Sequence, residues 1–597
     1  MKRKEKISLL ILQIDELIHL TEEWEERYKD KLERVHPKYK NSAKNLVHYC
    51  ALKSKKLSKI QKYLGDLGLS RLTSAENHIM ASLKTTRSIL ISMMGRKAKF
   101  PKGKPTFKKS RSYIRRNAKA LLGYRSKGRR TRIMVTLPSS AADDYKLVYN
   151  LMANGMNCAR INCAHDSAEE WLKMVENIHK ASKQIRKKCK IAMDLSGPKI
   201  RTGALKKGPG FIKIRPTKDL YGNVLKSAKV YLTKNQATKE NLPLIPIKNF
   251  KPNSIKNGDI LKLKSKIHKN HKIKVIKKYQ SGFIAEVPKT TYFETGLKIY
   301  SSKDDYFIVD KLPAKDIPIF LNNGDILILK KKQIQGQNMK ISEDSGILEP
   351  AFVSCSFPEI FDMVKCDESI LFDDGEIEGK IQNVSPDEVR VLITNVSQKG
   401  GKLNADKGIN LPQTDLKLAS FTKKDKQDLP FVLKYANVVN MSFINYPEDV
   451  VRLLGNLNLE NLNRKLGIIL KIETQSGFNN LLDILLEAMQ VYPVGVMIAR
   501  GDLAIELGWN RIGRVQEEIL SLCKAAHITS IWATQVLENL AKRGIPSRAE
   551  ITDAVRAHRA DCVMLNKGPS IIKAMCLIDS ILKDMKSTSL ALKPAVE

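Results

Sequence analysis

The 597-residue chain has no run of 18 or more apolar residues, so no transmembrane helix is expected. Its nine cysteines are scattered, without a Cys-x-x-Cys pair or zinc-ligand spacing. They read as reduced thiols, and zinc is not indicated. The amino terminus, Met1-Lys2-Arg3-Lys4-Glu5-Lys6, lacks the small-residue cleavage site of a secretory signal. It soon reaches Asp15, Glu16 and Glu22, acids foreign to an organellar transit peptide. The expected location is cytoplasmic. Acidic residues are also short, 62 Asp and Glu against 104 Lys and Arg, for a net charge of +42. The imbalance peaks between Arg96 and Arg132, which hold sixteen Lys or Arg and no acid. With no nucleic-acid-binding motif in view, this stretch reads first as a solvated basic linker. The alternative is a nucleic-acid or anionic-membrane patch across residues 96–132, with Phe100, Phe107, Tyr113 and Tyr124 available to stack on bases.

A chain this long implies about three or four domains. Eight short apolar runs begin at Arg132, Ala159, Lys190, Val438, Gly467, Val494, Thr529 and Cys562. Helical-period stretches follow the first two and every one from the fourth on, which predicts βα units and a parallel (β/α)8 TIM barrel in the α/β class. Residues 1–95 carry three apolar stripes of helical period and predict an all-helical N-terminal region. Residues 96–130 follow as the basic linker, 131–203 as the first part of the barrel and 204–410 as an inserted β lid domain. Residues 411–590 complete the barrel, and 591–597 are a tail. Within the insert, Asn257-Gly258-Asp259-Ile260-Leu261-Lys262-Leu263 resembles Asn323-Gly324-Asp325-Ile326-Leu327-Ile328-Leu329. Each reads as a turn into a strand and hints at a duplicated small β unit. A β domain beside a barrel mouth is placed to act as a lid that excludes water.

Barrel chemistry sits at the carboxyl ends of the strands. The fifth and sixth runs end in Lys471-Ile472-Glu473 and Arg500-Gly501-Asp502. Two carboxylates suit Mg²⁺ or Mn²⁺, hard ions that bind through one or two carboxylates plus substrate oxygens. Lys471 adds a fixed positive charge for a phosphoryl group or an enolate. A salt-bridge cluster closing the barrel top is the competing account of the same charges.

These runs stand within longer segments: Ala159-Arg160-Ile161-Asn162 with His165, Asp194 with Gly197-Pro198-Lys199-Ile200-Arg201-Thr202-Gly203, and Asp373-Asp374-Gly375. Further along come Lys407-Gly408-Ile409-Asn410-Leu411-Pro412, Ala533-Thr534-Gln535-Val536-Leu537-Glu538 and Pro546-Ser547-Arg548-Ala549-Glu550. In order, the set resembles the pyruvate kinase family across the whole barrel. The resemblance implies Glu473 and Asp502 as ligands of a Mg²⁺ or Mn²⁺ ion. It gives Arg160 and Lys471 the transferring phosphoryl group, and Lys471 also the pyruvate enolate. Thr534 and the amides of Gly501 and Asp502 would receive the substrate carboxylate, with Thr534 near the carbon that takes up a proton. Pro138, Asn162, His165 and Arg201 would line the nucleotide site, with Lys407 at the lid edge. The implied partners are phosphoenolpyruvate and ADP or ATP.

Departures from the family pattern carry information. Ala164 and Leu195 stand where many members have the Ser and Thr ligands of potassium, and Lys199 stands where they have Glu. A lysine ammonium can hold the monovalent-cation position permanently, so potassium independence is expected. Asn566-Lys567-Gly568-Pro569-Ser570 replaces the usual Ser-Gly-Glu-Thr, Ser196 a lysine and Ala504 a glycine. The insert is about twice the usual length, and the family's C-terminal domain for sugar-phosphate activation has no counterpart, so activation by that route is not expected. Two rival readings stay open at this stage. One is a phosphoenolpyruvate-dependent phosphotransferase with another acceptor; the other is a catalytically weak metabolite sensor with a basic N-terminal binding region. Oligomeric state and nucleotide preference are not legible.

Overall fold

A computed structural model describes residues 3–100, 103–234, 242–264, 271–301, 305–342, 346–397, 400–418, 420–457 and 465–588. The expected tail, 591–597, lies outside them. The chain parts into two compact units, one of residues 1–200, 368–375 and 409–597, the other of residues 201–367 and 376–408.

The first unit holds a closed parallel barrel of β1 (Arg132–Thr136), β2 (Cys158–Asn162), β3 (Lys190–Asp194), β4 (Val438–Met441), β5 (Gly467–Ile472), β6 (Val494–Ala499), β7 (Thr529–Ala533) and β8 (Cys562–Leu565). β8 returns to β1 with Met564 opposite Met134. The strands read as continuous apolar runs because both faces are covered. Alternate side chains divide between two cores. Met134 joins Cys158, Ala192, Val438, Ile469 and Met497 inside the barrel, while Ile133 and Val135 pack outward with the surrounding helices.

Among the described residues up to 95, three long helices form: α1 (Arg3–Arg27), α2 (Lys40–Lys53) and α3 (Ile79–Met93). The second apolar stripe proves to be two helices, α2 and a shorter Ser58–Asp66, because the chain turns after Lys53. Leu10, Ile14, Leu17, Leu52, Leu64, Leu83 and Leu90 form their shared core. Buried polar groups tie them to the barrel. Asn45 donates to the Ala525 carbonyl at 2.8 Å, and Val494 N–H donates to the Tyr39 hydroxyl at 3.0 Å. His527, fully buried, bridges Ser42 Oγ at 3.0 Å and the Asn77 carbonyl at 2.8 Å. Since that carbonyl only accepts, Nε2 carries the proton and Nδ1 accepts from Ser42. Burial lowers the imidazole to about 4 and keeps it neutral.

The expected basic linker is corrected by a helix, α4 (Phe107–Leu122). Thr106 caps its start by accepting from Lys109 N–H, and Gly123 at φ 79° ends it. Ser110, Asn117, Ala118, Leu121 and Leu122 are buried along one side. Leu121 and Leu122 enter the interior barrel core. A Cβ on Gly467 would lie 2.5 Å from Leu121 Cδ1, and one on Gly495 2.5 Å from Cδ2. These glycines start or adjoin the start of β5 and β6, so α4 plugs the amino end of the barrel. The apolar period of this helix is short and was hidden among the cations.

Among its described residues, the second unit is built from β strands with two 3-10 turns. Seven strands between Ala228 and Val309 close a small barrel of their own. Beyond it, Ile326–Lys330 pairs antiparallel with Glu388–Val396 and parallel with Ala351–Ser354. The two similar segments make the same turn. Lys256 N–H donates to Asp259 Oδ2 at 2.6 Å and Asn322 N–H to Asp325 Oδ2 at 2.7 Å. Gly258 and Gly324 take φ of 95° and 90°. Their strands enter different sheets, so the likeness is one of turns and does not extend to the sheets.

Candidate active site

The carboxyl ends of β2, β3 and β5 bring a charged network together. Arg160 Nε and Nη2 donate to Asp194 Oδ2 at 3.0 and 2.6 Å, and Nη1 donates to Thr136 Oγ1 at 2.9 Å. A guanidinium carries five N–H groups, so two remain for a ligand. Asn440 also donates to Asp194. Burial opposes charge on Asp194, but Arg160 and Lys471 hold its carboxyl below the ordinary aspartate value. Lys471 Nζ donates to Ser442 Oγ and pairs with Glu473 Oε1, both at 2.9 Å, and lies 3.8 Å from Asp194. Glu473 Oε2 accepts from Phe443 N–H at 2.6 Å. Ser442 is fixed in turn by donating to the Leu195 carbonyl. Gly197, at φ 66°, packs so closely that a Cβ would lie 2.9 Å from Ser442 Cβ.

A second group forms where α5 (Arg500–Leu507) follows β6. Gly501 N–H donates to Thr534 Oγ1 at 2.9 Å, and that hydroxyl donates to the Ala533 carbonyl at 2.7 Å. As first-turn residues, Gly501 and Asp502 have no intrahelical acceptor for their amides, which makes the helix start receptive to an anion. Thr534 and Gln535 hold left-handed backbone at φ 62° and 53°. Such strain persists only where surroundings fix it. Arg500 does so: Nε donates to the Ala533 carbonyl at 3.0 Å, Nη2 to the Thr534 carbonyl at 2.6 Å, and both Nη atoms engage Asp553. Arg500 stood in the sequence motif, but only the geometry gives it this task.

Lys199 is also at the site. Its ammonium binds Asp502 Oδ1 at 2.7 Å and lies 4.0 Å from Asp374. Burial opposes its charge, yet Asp502, Asp374 and Glu473 hold it above the ordinary lysine value. Its ion pairs therefore run to an expected divalent-metal ligand, Asp502, and to Asp374. Asp374 was not foreseen as a site residue, although Asp373, Asp374 and Gly375 all take positive φ after the strand Ser369–Phe372.

Three expected nucleotide residues share neighbouring loops. Pro138 lies two residues past β1 and caps a 3-10 turn, Asn162 ends β2, and His165 follows it, exposed. Ser139 Oγ joins the two loops by donating to Asp166 Oδ1 at 2.6 Å. Asn162 Oδ1 accepts from Ala164 N–H at 3.2 Å, and the His165 carbonyl accepts from Trp171 Nε1 at 2.9 Å. Arg201 and Lys407 belong to the second unit and lie on two facing stretches there. Arg201 donates to the Asp406 carbonyl at 2.8 Å, while Lys407 N–H donates to Thr202 Oγ1 at 2.9 Å.

Glu473 and Asp502 fit a hard divalent cation. Each is held on one side, Glu473 by Lys471 and Phe443 N–H and Asp502 by Lys199 on Oδ1, and both act on the same ammonium. Among the described residues no three His, Cys, Asp or Glu cluster as a metal cage. An ion here would rest on these two carboxylates and complete its shell from elsewhere, as Mg²⁺ commonly does.

A (β/α)8 barrel with an inserted β unit, and with ammonium, guanidinium and carboxylates converging at its carboxyl end, defines the class of barrel enzymes built for anionic substrates. The family described as "Pyruvate kinase, barrel domain" matches residues 128–269 and 321–570. The chain belongs to the pyruvate kinase family. It is 33% identical over 216 residues to a pyruvate kinase of Clostridium acetobutylicum, covering 36% of this chain and 44% of that one. It is 35% identical over 247 residues to one of Kluyveromyces lactis, covering 40% and 46%. The chain thus spans less than half the length of either relative. A crystal structure of a pyruvate kinase from Cryptosporidium parvum is similar in fold, with a TM-score of 0.51 and 20% identity over 79% of this chain and 72% of that one.

Proposed function

We propose that the chain transfers the phosphoryl group of phosphoenolpyruvate to ADP, giving pyruvate and ATP, with Mg²⁺ or Mn²⁺ and without potassium. The observation that carries this reading is the Arg160–Asp194–Lys471–Glu473 network, which leaves cationic N–H groups unused at the barrel mouth. Phosphoryl transfer needs positioning and charge stabilisation more than covalent help. The two free N–H groups of Arg160 hold the phosphoryl oxygens, while Lys471 neutralises the enolate oxygen as the P–O bond to it breaks and a P–O bond to the ADP β-phosphate forms; the enolate carbon then takes up a solvent proton near Thr534 to give pyruvate. Thr534, Gly501 and Asp502 amides receive the substrate carboxylate, which displaces the Gly501–Thr534 hydrogen bond. Glu473 and Asp502 would hold the divalent ion, which when bound would supply positive charge beside the anionic substrates. Pro138, Asn162, His165, Arg201 and Lys407 are assigned to the nucleotide on the family resemblance alone. Lys199 supplies the fixed charge that lets the site work without potassium.

The test is steady-state pyruvate formation from phosphoenolpyruvate and ADP with Mg²⁺, in potassium- and sodium-free buffer and again with potassium. Equal turnover is expected. Turnover only with potassium refutes the role of Lys199, and none in either refutes the kinase reading.

A further inference from the structure

We infer that the closed, amino end of the barrel carries a binding surface for single-stranded nucleic acid, built on α4 and the segment before it. Lys99 and Gly103 are both seated against α3. Ser88 Oγ donates to the Lys99 carbonyl at 2.6 Å, and a Cβ on Gly103 would lie 2.5 Å from the Ala81 backbone. With Leu121 and Leu122 in the barrel core, the helix presents a fixed outer side on which Lys108, Arg111, Arg115 and Lys119 follow at spacings of three and four residues, all exposed. Residues at such spacing line one face of a helix.

No acid lies between Arg96 and Arg132, and among the described residues no ion pair engages these four cations. Other cations are drawn to the same end. Lys188 joins Lys119 in acting on Tyr124, and Lys38, Lys465 and Arg116 act on His36. The chemistry of phosphoryl transfer sits at the opposite end of the strands, so this charge does not serve it at short range.

A membrane also meets cations and rings, but it needs a free apolar helix face, and that face of α4 is buried in the barrel, which leaves the rings for bases. Phe100 is 58% exposed and Phe107 43%, beside a cleft of about 750 Å³ that Pro105 and Tyr113 also line. Tyr124, 72% exposed, lies farther along. A cationic ridge for phosphates with rings for bases is the pattern of sequence-tolerant single-strand binding.

The test is fluorescence anisotropy of a labelled oligouridylate of about 20 nucleotides with the full chain, from 50 to 200 mM salt. The triple variant Lys108→Glu/Arg111→Glu/Arg115→Glu should lose at least about tenfold in affinity and about 2 from the salt slope, at 0.7 per lost phosphate contact. Its circular dichroism should be unchanged. Phe107→Ala should weaken single-strand binding about fivefold or more, within the range for one lost stacking platform. Equal binding by the triple variant overturns the inference. So does undiminished binding by Phe107→Ala together with equal capture by phosphatidylserine vesicles, which would make the surface a membrane contact.

Discussion

If α4 plugs the barrel, Leu121 and Gly467 are energetically coupled although 346 positions separate them in the chain. Leu121 is fully buried, so Leu121→Ala should destabilise the barrel by about 2–5 kcal/mol through lost burial and the cavity left behind. Gly467→Ala places a methyl 2.5 Å from Leu121 Cδ1, and overpacking of that kind costs about 1–3 kcal/mol. Backbone strain adds nothing, since Gly467 is absent from the positive-φ residues. In the double variant the clash disappears and the new methyl fills part of the cavity. Its cost should fall short of the sum of the single costs by at least about 1 kcal/mol, whereas uncoupled sites add within about 0.5. Urea unfolding followed by tryptophan fluorescence measures all three variants. A cost for Leu121→Ala below about 1 kcal/mol, the range of a surface change, refutes the plug, and strict additivity refutes the contact.

Arg500→Lys keeps one charge but loses the fork that holds the Ala533 and Thr534 carbonyls and Asp553, so kcat should fall by about ten- to a hundredfold. If Arg500 works by positioning Thr534, its effect should not add to that of Thr534→Ala, and a cycle in kcat/KM reads this directly. His527 supplies a pH test. Its folded value of about 4 lies below the ordinary 6.5, so the unfolded chain binds the extra proton. The stability it contributes is complete above about pH 6.5 and is lost as pH falls toward 4. The loss is about 2 kcal/mol between pH 7 and pH 5. Stability measured at both pH values should show a smaller loss in His527→Gln, and equal losses in the two proteins would exclude this histidine.

The barrel was legible because its strands are short apolar runs at regular intervals, and a period of two or 3.6 needs only local sequence. The strand-end charges Lys471, Glu473 and Asp502 were legible because such charges are rare at the ends of apolar runs, whereas the roles proposed for them came from the family resemblance. The plug was not legible. Its buried face is three apolar and two polar residues among cations, and the reason for Gly467 and Gly495 lies in a partner far away in sequence. Arg500 was visible as a residue but not as a clamp, since its acceptors are backbone carbonyls, which carry no sequence signature. Asp374 escaped for a similar reason: its approach to Lys199 depends on three consecutive left-handed residues, a conformation that Asp does not announce.

Lys199 is where the charge of the site is decided. Asp194, Asp374, Glu473 and Asp502 bring four negative charges, and Arg160, Lys199 and Lys471 three positive ones, a difference of one. Without Lys199 the excess is two, and a monovalent cation restores the balance. This predicts that Lys199→Met activity depends on added potassium while that of the parent does not. The geometry adds a second consequence. The ammonium stands 2.7 Å from Asp502 Oδ1, so removing it frees a carboxylate oxygen for the divalent ion. The half-saturating Mg²⁺ concentration of Lys199→Met, measured with saturating potassium, should therefore fall below that of the parent. A charge-only role predicts the potassium requirement without the tighter Mg²⁺, because potassium replaces the charge but does not occupy the Asp502 oxygen. If Mg²⁺ binding is unchanged or weaker in the variant, the Lys199–Asp502 pair does not compete with the metal. Potassium-independent turnover in Lys199→Met would remove the lysine from the charge balance altogether.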